Sequence, residues 1–268
     1  MTLPHALAAL KKYFGYDQFR PLQADIIQTV YDGRDALVLM PTGGGKSVCF
    51  QIPAITLDGV AVVVSPLIAL MKDQVEGLSA NGIPAAFINS SLNSEQQRNV
   101  ESALLAGYIK LLYVSPEKLV SQSFQPLLKR LKISLFAIDE AHCISSWGHD
   151  FRPEYTQLKF LKSQFPGIPL IALTATADKL TRKDIVEQLS LADPAIFVAS
   201  FDRPNISLTV RPGQKRFEQV LEFLKSHPNQ SGIVYCLSRK GCEGLAEKLN
   251  AKGFRAAHYH AEVPAALR

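Results

Sequence analysis

Apolar residues fall along the chain in two alternating patterns. Unbroken apolar runs occupy positions 36–40, 60–64, 85–88, 111–114, 135–138 and 170–173. Runs that are continuous rather than alternating predict parallel strands covered on both faces. Amphipathic stretches lie between them. Over 67–79, Leu67, Leu70, Met71, Val75 and Leu78 share one helical face. Positions 94–106 predict a helix entered through Asn93 or Ser94 as cap, and 181–189 predict a third. Strand and helix alternating at this spacing predict an α/β fold, a parallel sheet with helices on both faces.

The rhythm pauses at Ser200 to Asn205, where Asp202, Arg203, Pro204 and Asn205 are turn residues and Pro204 disfavours helix at Arg203. A boundary is placed there, giving a first domain over 1–200, a linker over 201–206 and a second unit over 207–268. In that unit the pattern restarts, with strands expected at 207–210, 232–235 and 255–259 and helices at 217–225 and 239–250. Three strands at most make a partial α/β lobe, since a whole one usually needs ~100 residues or more.

Composition narrows the function classes. With 47% hydrophobic and 20% charged residues, the chain can bury a core without cross-links. Cys49, Cys143, Cys236 and Cys242 are scattered without a CxxC pair, so neither a zinc site nor a disulfide framework is expected. Four reduced thiols suit a cytoplasmic protein. Lys11 and Lys12 follow the apolar start, whereas a secretory signal has its basic residues in front. No apolar run approaches the roughly 20 residues that span a bilayer. The net charge of +5 is compatible with a nucleic-acid partner and is weak evidence by itself.

Two short motifs carry the chemistry. Thr42-Gly43-Gly44-Gly45-Lys46-Ser47 follows a predicted strand and opens a predicted helix. Glycines there let backbone amides close around phosphate oxygens, and a helix N-terminus adds a favourable dipole. Lys46 is the candidate for the β- and γ-phosphates and Ser47 for Mg²⁺. Met40 stands where the general pattern has its first Gly. The second motif is Asp139-Glu140-Ala141-His142 at the end of an apolar run. Asp139 is the candidate Mg²⁺ ligand and Glu140 the candidate general base, both near the phosphate loop at the carboxyl edge of the sheet. Alone, each string could be an ordinary turn. In this order and context they argue for NTP hydrolysis with Mg²⁺.

The stretch from Asp139 to Tyr155, which contains Trp147, Phe151 and Arg152, resembles motif II and the aromatic-rich loop of RecQ helicases. On residue types alone, Trp147 and Phe151 could equally be core aromatics. Phe14 to Gln23 resembles the family's motif 0, Val64 to Gln74 motif Ia, Val114 to Leu119 motif Ib, Leu173 to Ala177 motif III, and Ile233 to Arg239 motif IV. The resemblance covers 13–261 and fails at Glu262, where the family has Gly after Tyr259-His260-Ala261.

The resemblance implies a RecA-like ATP-binding lobe followed by a partial second RecA-like lobe, without counterparts of motifs V and VI or of the family's zinc-binding region. It implies an ATP-dependent 3′-to-5′ DNA helicase acting on single-stranded and partially duplex DNA in repair and recombination, nucleoid-associated if bacterial. Tyr16 and Arg20 would sandwich adenine and Gln23 would pair with its edge. Trp147 and Phe151 would stack on unpaired bases. Arg152, Ser65 and Ser115 would contact the DNA strand, and Thr174 and Thr176 would couple it to the nucleotide site. The rival expectation is a fragment that binds ATP and single-stranded DNA without turnover, because motif VI supplies the family's arginine finger.

Overall fold

The computed structural model describes residues 1–145, 150–200 and 205–263. The chain divides into two compact units, Met1–Arg203 and Pro204–Arg268.

The first unit is built on seven strands: β1 Ala36–Leu39, β2 Val60–Val64, β3 Ala85–Ile88, β4 Leu111–Val114, β5 Ile133–Ile138, β6 Leu170–Thr174 and β7 Ala195–Val198. Every pairing is parallel and the order is β3-β4-β2-β5-β6-β1-β7. The six expected strands all form. The seventh, β7, is not among the expected strands, although Ala195–Val198 is an unbroken apolar run; at the sheet edge its residues alternate between half-buried and exposed.

Its helices are α1 Leu3–Phe14, α2 Gln23–Tyr31, α3 Lys46–Thr56, α4 Ile68–Ala80, α5 Ser94–Leu105, α6 Pro116–Val120, α7 Gln125–Leu128, α8 Pro153–Thr156, α9 Phe160–Gln164 and α10 Lys179–Gln188. Asn93 caps α5 in a reciprocal capping box with Gln96. In α4, Met71, Val75 and Leu78 are buried as expected, but Leu67 is exposed. It sits at the cap, one residue before the helix, so the helical face does not extend to it.

Alternate residues of the central strands feed two cores. Leu37, Leu39, Val62, Val64, Phe136 and Ile138 face one layer, with α5, α8 and α10. Ala36, Val38, Ala61, Val63, Leu135 and Ala137 face the other, with α2, α3 and α4. This two-sided burial explains the unbroken apolar runs. A third cluster packs α1 on Ile27 and Ile52. At the amino edge, buried Asp35 accepts hydrogen bonds from Lys162 Nζ (2.9 Å) and the Leu170 amide (2.8 Å). One carboxylate thereby ties the entries of β1 and β6 and neutralises a half-hidden lysine.

In the second unit, α11 Arg216–Ser226 and α12 Arg239–Ala251 form as expected. The strands expected at 207–210, 232–235 and 255–259 do not form. Strands need a ladder partner for their amides and carbonyls, and these segments do not pair with one another. Leu208, Val210, Ile233 and Tyr235 are consequently exposed.

Candidate active site

The carboxyl ends of β1 and β5 set the site. Past β1, the Met40 amide donates to Thr174 O at 3.1 Å and the Gly44 amide donates to Pro41 O at 2.9 Å. Gly43 and Gly45 take φ values of 81° and 86°, left-handed conformations that cost a residue with a Cβ. Helix α3 then starts at Lys46 with its first amides directed at the loop. Lys46 Nζ bends back to Met40 O at 3.1 Å, so the ammonium stands over the loop.

A second segment fastens the loop from outside. Arg20 Nη1 donates to Gly43 O at 2.5 Å, and Gln23 Nε2 donates to Gly45 O at 3.0 Å. Gln23 Oε1 accepts from the Arg20 amide at 2.9 Å. Gln23 is 3% exposed, and its carboxamide is engaged by protein at both ends. Tyr16 is exposed nearby.

At the end of β5, the Asp139 amide donates to Val64 O at 2.9 Å, which keeps the residue in sheet register. Its Oδ1 accepts the Glu140 amide at 3.0 Å. Burial pushes the Asp139 carboxyl up to about 6, helped by the Glu140 charge and opposed by Lys46 and His142. Glu140 adopts a left-handed φ of 48°, which turns its side chain away from the strand direction. Its carboxyl is held below the ordinary value by His142, whose Nδ1 lies 3.2 Å from Oε2. His142 is raised in turn, by the Cys143 sulfur and by Glu140. It also meets Thr174 Oγ1 at 2.9 Å.

These groups share one cavity of 410 Å³, lined by Tyr16, Gln18, Arg20, Gln23, Thr42, Gly43, Gly45, Lys46, Ser47, Asp139 and Glu140, with Leu10, Val48, Leu70 and Gln74 completing the wall. Gly44 is not among the lining residues, and a Cβ there would come within 2.9 Å of Pro41 O. The donor set suits Mg²⁺: the Ser47 hydroxyl and two carboxylates are hard oxygen ligands. Asp139 carries a buried negative charge that nearby cations only partly offset, and a divalent ion would relieve it.

The other expected residues lie elsewhere. Thr174 is fully buried, and its hydroxyl accepts the Thr176 amide at 3.2 Å and donates to Thr176 O at 3.0 Å. Ser115 caps α6 through the Lys118 amide. Ser65 is 1% exposed and its hydroxyl finds no hydrogen-bond partner, so it does not present itself to a strand at the surface. Arg152 Nη1 donates to Pro66 O at 3.1 Å, spanning from the segment after the acidic pair to the end of β2. Phe151 is exposed. Trp147 lies outside the described residues.

Sequence reasoning passed over Tyr155, which is fully buried and donates its hydroxyl to Asp139 O at 3.0 Å. It also missed Gln51, Gln74 and Tyr113. Gln51 Nε2 donates to Gln74 Oε1 at 3.0 Å and lies 3.3 Å from Tyr113 Oη, bracing α3 against α4. A glutamine inside an otherwise apolar helix face was the available signal.

The family model of the DEAD/DEAH box helicases matches residues 20–185. The chain is 53% identical to the ATP-dependent DNA helicase RecQ of Haemophilus influenzae over 99% of its own length and 43% of that protein's. It is 51% identical to RecQ of Pasteurella multocida, over 98% of this chain and 42% of the relative. With the RecQ-like DNA helicase BLM of Xenopus laevis the identity is 41%, over 97% and 20%. The chain thus spans about two-fifths of the length of its bacterial relatives. Among solved structures, the DUF1998 helicase MrfA superposes with a TM-score of 0.69 at 21% identity, over 93% of this chain and 41% of the other. The Mycobacterium smegmatis helicase Lhr, bound to single-stranded DNA and AMP-PNP, gives 0.67 at 19%, over 97% and 39%. Those two likenesses establish the RecA-like fold. The chain belongs to the DEAD/DEAH box helicase family, and the RecQ helicases are the members that its sequence resembles.

Proposed function

We propose that this chain is the ATP-hydrolysing motor portion of a RecQ-type DNA helicase, moving 3′ to 5′ on single-stranded DNA and opening partially duplex substrates in repair and recombination. The observation that carries the reading is the single cavity in which Lys46, Ser47, Asp139 and Glu140 meet Tyr16, Arg20 and Gln23. The names of the relatives support ATP and DNA as ligands.

In this reading the amides at the start of α3 and the Lys46 ammonium receive the β- and γ-phosphates. Tyr16 and Arg20 flank the base, and Gln23 works from the wall, holding the loop while facing the adenine edge. A Mg²⁺ held by Ser47 and Asp139 would neutralise phosphate charge. Glu140 stays deprotonated at neutral pH and takes a proton from the attacking water. That water oxygen bonds to the γ-phosphorus as the bond to the β-phosphate oxygen breaks, releasing ADP and inorganic phosphate.

DNA lies along the loops after β2, β4 and β5, where Phe151 and Trp147 stack on bases and Arg152 serves the strand. Ser65 and Ser115 act by shaping those loops rather than through free hydroxyls. Thr174 and Thr176 couple the two sites. The domains run over 1–200 and 207–268 with a linker between them, and the protein works in the cytoplasm. Among the described residues, no helix is long and apolar enough to cross a membrane.

The test is ATP hydrolysis with and without a single-stranded oligonucleotide, beside Lys46→Ala, at low and physiological salt. The expected result is stimulation by DNA that Lys46→Ala abolishes, with the DNA effect weakening as salt rises. Hydrolysis equal in the variant, or absent from a chain that still binds nucleotide, overturns the reading of this chain as a motor.

A further inference from the structure

The second unit carries a cluster of ligating side chains that plays no part in the ATP site. Glu243 lies in the second turn of α12, and His258 and His260 follow on the segment after it, which bonds back to the helix through Ala256 and Tyr259. The His258 and His260 rings stack, with centroids 5.3 Å apart and planes 15° apart. His260 Nε2 stands 3.0 Å from Glu243 Oε1. One donor atom from each of the three residues lies within 4.8 Å of the others.

We propose that Glu243, His258 and His260 form a Zn²⁺ site that clips the 255–260 segment to α12. Two imidazoles and a carboxylate are a borderline-soft donor set that favours zinc over Mg²⁺ or Ca²⁺. Tetrahedral zinc at ~2.0–2.1 Å from each ligand sets its donors roughly 3.4 Å apart. Glu243 and His260, 3.0 Å apart, need only a small opening to reach that spacing, and exposed His258 closes the remainder by rotating about its side-chain bonds. In the free protein a proton bridges Glu243 and His260, and the ion takes its place. Three protein ligands leave a fourth position for water.

Cysteine spacing gave no hint of this site, because its ligands are a His-x-His pair and a helical glutamate. Cys242 is close by, with Sγ 3.9 Å from Tyr259 O, and Cys236 stands beside Cys242. A thiol site is therefore the competing outcome.

The test titrates the tag-free chain with Zn²⁺ against a chromophoric chelator in excess Mg²⁺, and repeats it with Co²⁺ to read ligand type. The expected result is one bound ion, a tetrahedral cobalt spectrum without a thiolate charge-transfer band, and full binding by the Cys236→Ser/Cys242→Ser double variant. Glu243→Gln keeps the shape and a hydrogen bond to His260 but loses the anionic ligand. It should weaken binding by more than about tenfold, as should His258→Ala, since even outer-shell partners cost that much. Hydrogen exchange over 239–260 should slow on adding Zn²⁺. Absence of saturable binding, a thiolate band, or affinity unchanged in a His258→Ala/His260→Ala double variant would each overturn the site.

Discussion

His142 Nδ1 lies 2.9 Å from Thr174 Oγ1, joining the segment after β5 to the end of β6 within one hydrogen bond of Glu140. The two residues are 32 positions apart in sequence, yet their strands are neighbours in the sheet. A change at the β6 end is therefore felt at Glu140, the proposed general base. Thr174→Val keeps the volume and removes the hydroxyl. The expected outcome is nucleotide affinity within about twofold of the parent and a roughly tenfold or greater loss of DNA-stimulated hydrolysis. Equal losses in binding and turnover would show that Thr174 only supports the fold.

The phosphate loop makes a second prediction through its glycines. Gly43 and Gly45 share the left-handed φ, but a Cβ has open space at Gly43 and would collide with Gln23 Nε2 at Gly45. Gly43→Ala should cost about 1–2 kcal/mol of strain. Gly45→Ala should cost that and also displace Gln23 from its bonds to Gly45 O and the Arg20 amide, about 1 kcal/mol each. Adding Gln23→Ala to Gly45→Ala should recover about 2 kcal/mol relative to additivity, because both single variants lose the same two bonds, read by denaturant titration of the double-mutant cycle. Strict additivity would mean that Gln23 does not hold the loop.

Asp139 gives the pH dependence. Its carboxyl titrates at about 6 when folded and about 4 when unfolded, so the native state binds the proton more tightly. Stability therefore falls as pH rises through that window, and the cost is complete above pH ~6. Without Mg²⁺ and nucleotide, Asp139→Asn should be more stable than the parent at pH 7.5, by about 2–3 kcal/mol. The difference should vanish near pH 4. A variant less stable than the parent at both pH values would contradict the assigned burial cost.

The thiols separate by environment. Cys49 is buried against the sheet, and burial pushes its thiol up to about 12, so almost no thiolate exists at neutral pH. Cys143 is also buried, whereas Cys236 is exposed and Cys242 half-buried. A maleimide reagent should modify Cys236 and Cys242 quickly in the native chain and the other two only after denaturant, as read by mass spectrometry. Rapid native labelling of Cys49 would place α3 away from the sheet.

Much of the first unit was legible because its strands are buried on both faces. In β1, β2 and β4 every position is buried and apolar, and β5 and β6 depart from this only at Ser134 and Thr174. The loop from Thr42 to Ser47 and the Asp139–Glu140 pair were legible for a related reason: their chemistry needs particular residue types at fixed offsets from a strand end. Edge strand β7 was not read from its four-residue apolar run, and its side chains alternate between half-buried and exposed rather than being covered on both faces. In the second unit, apolar runs alone suggested strands, but a strand also requires a neighbour to bond, and runs cannot supply one.

The sequence by itself determined the strand and helix periods and the capping of α5, and it marked the candidate phosphate loop, because these depend on contacts a few residues apart. Tertiary structure alone decided that Gln23 grips Gly45, that Arg152 reaches Pro66, that Ser65 is buried and that Tyr155 supports Asp139. These relationships cross the sheet order, which brings the carboxyl ends of distant strands together. Residue spacing does not encode which ends will meet.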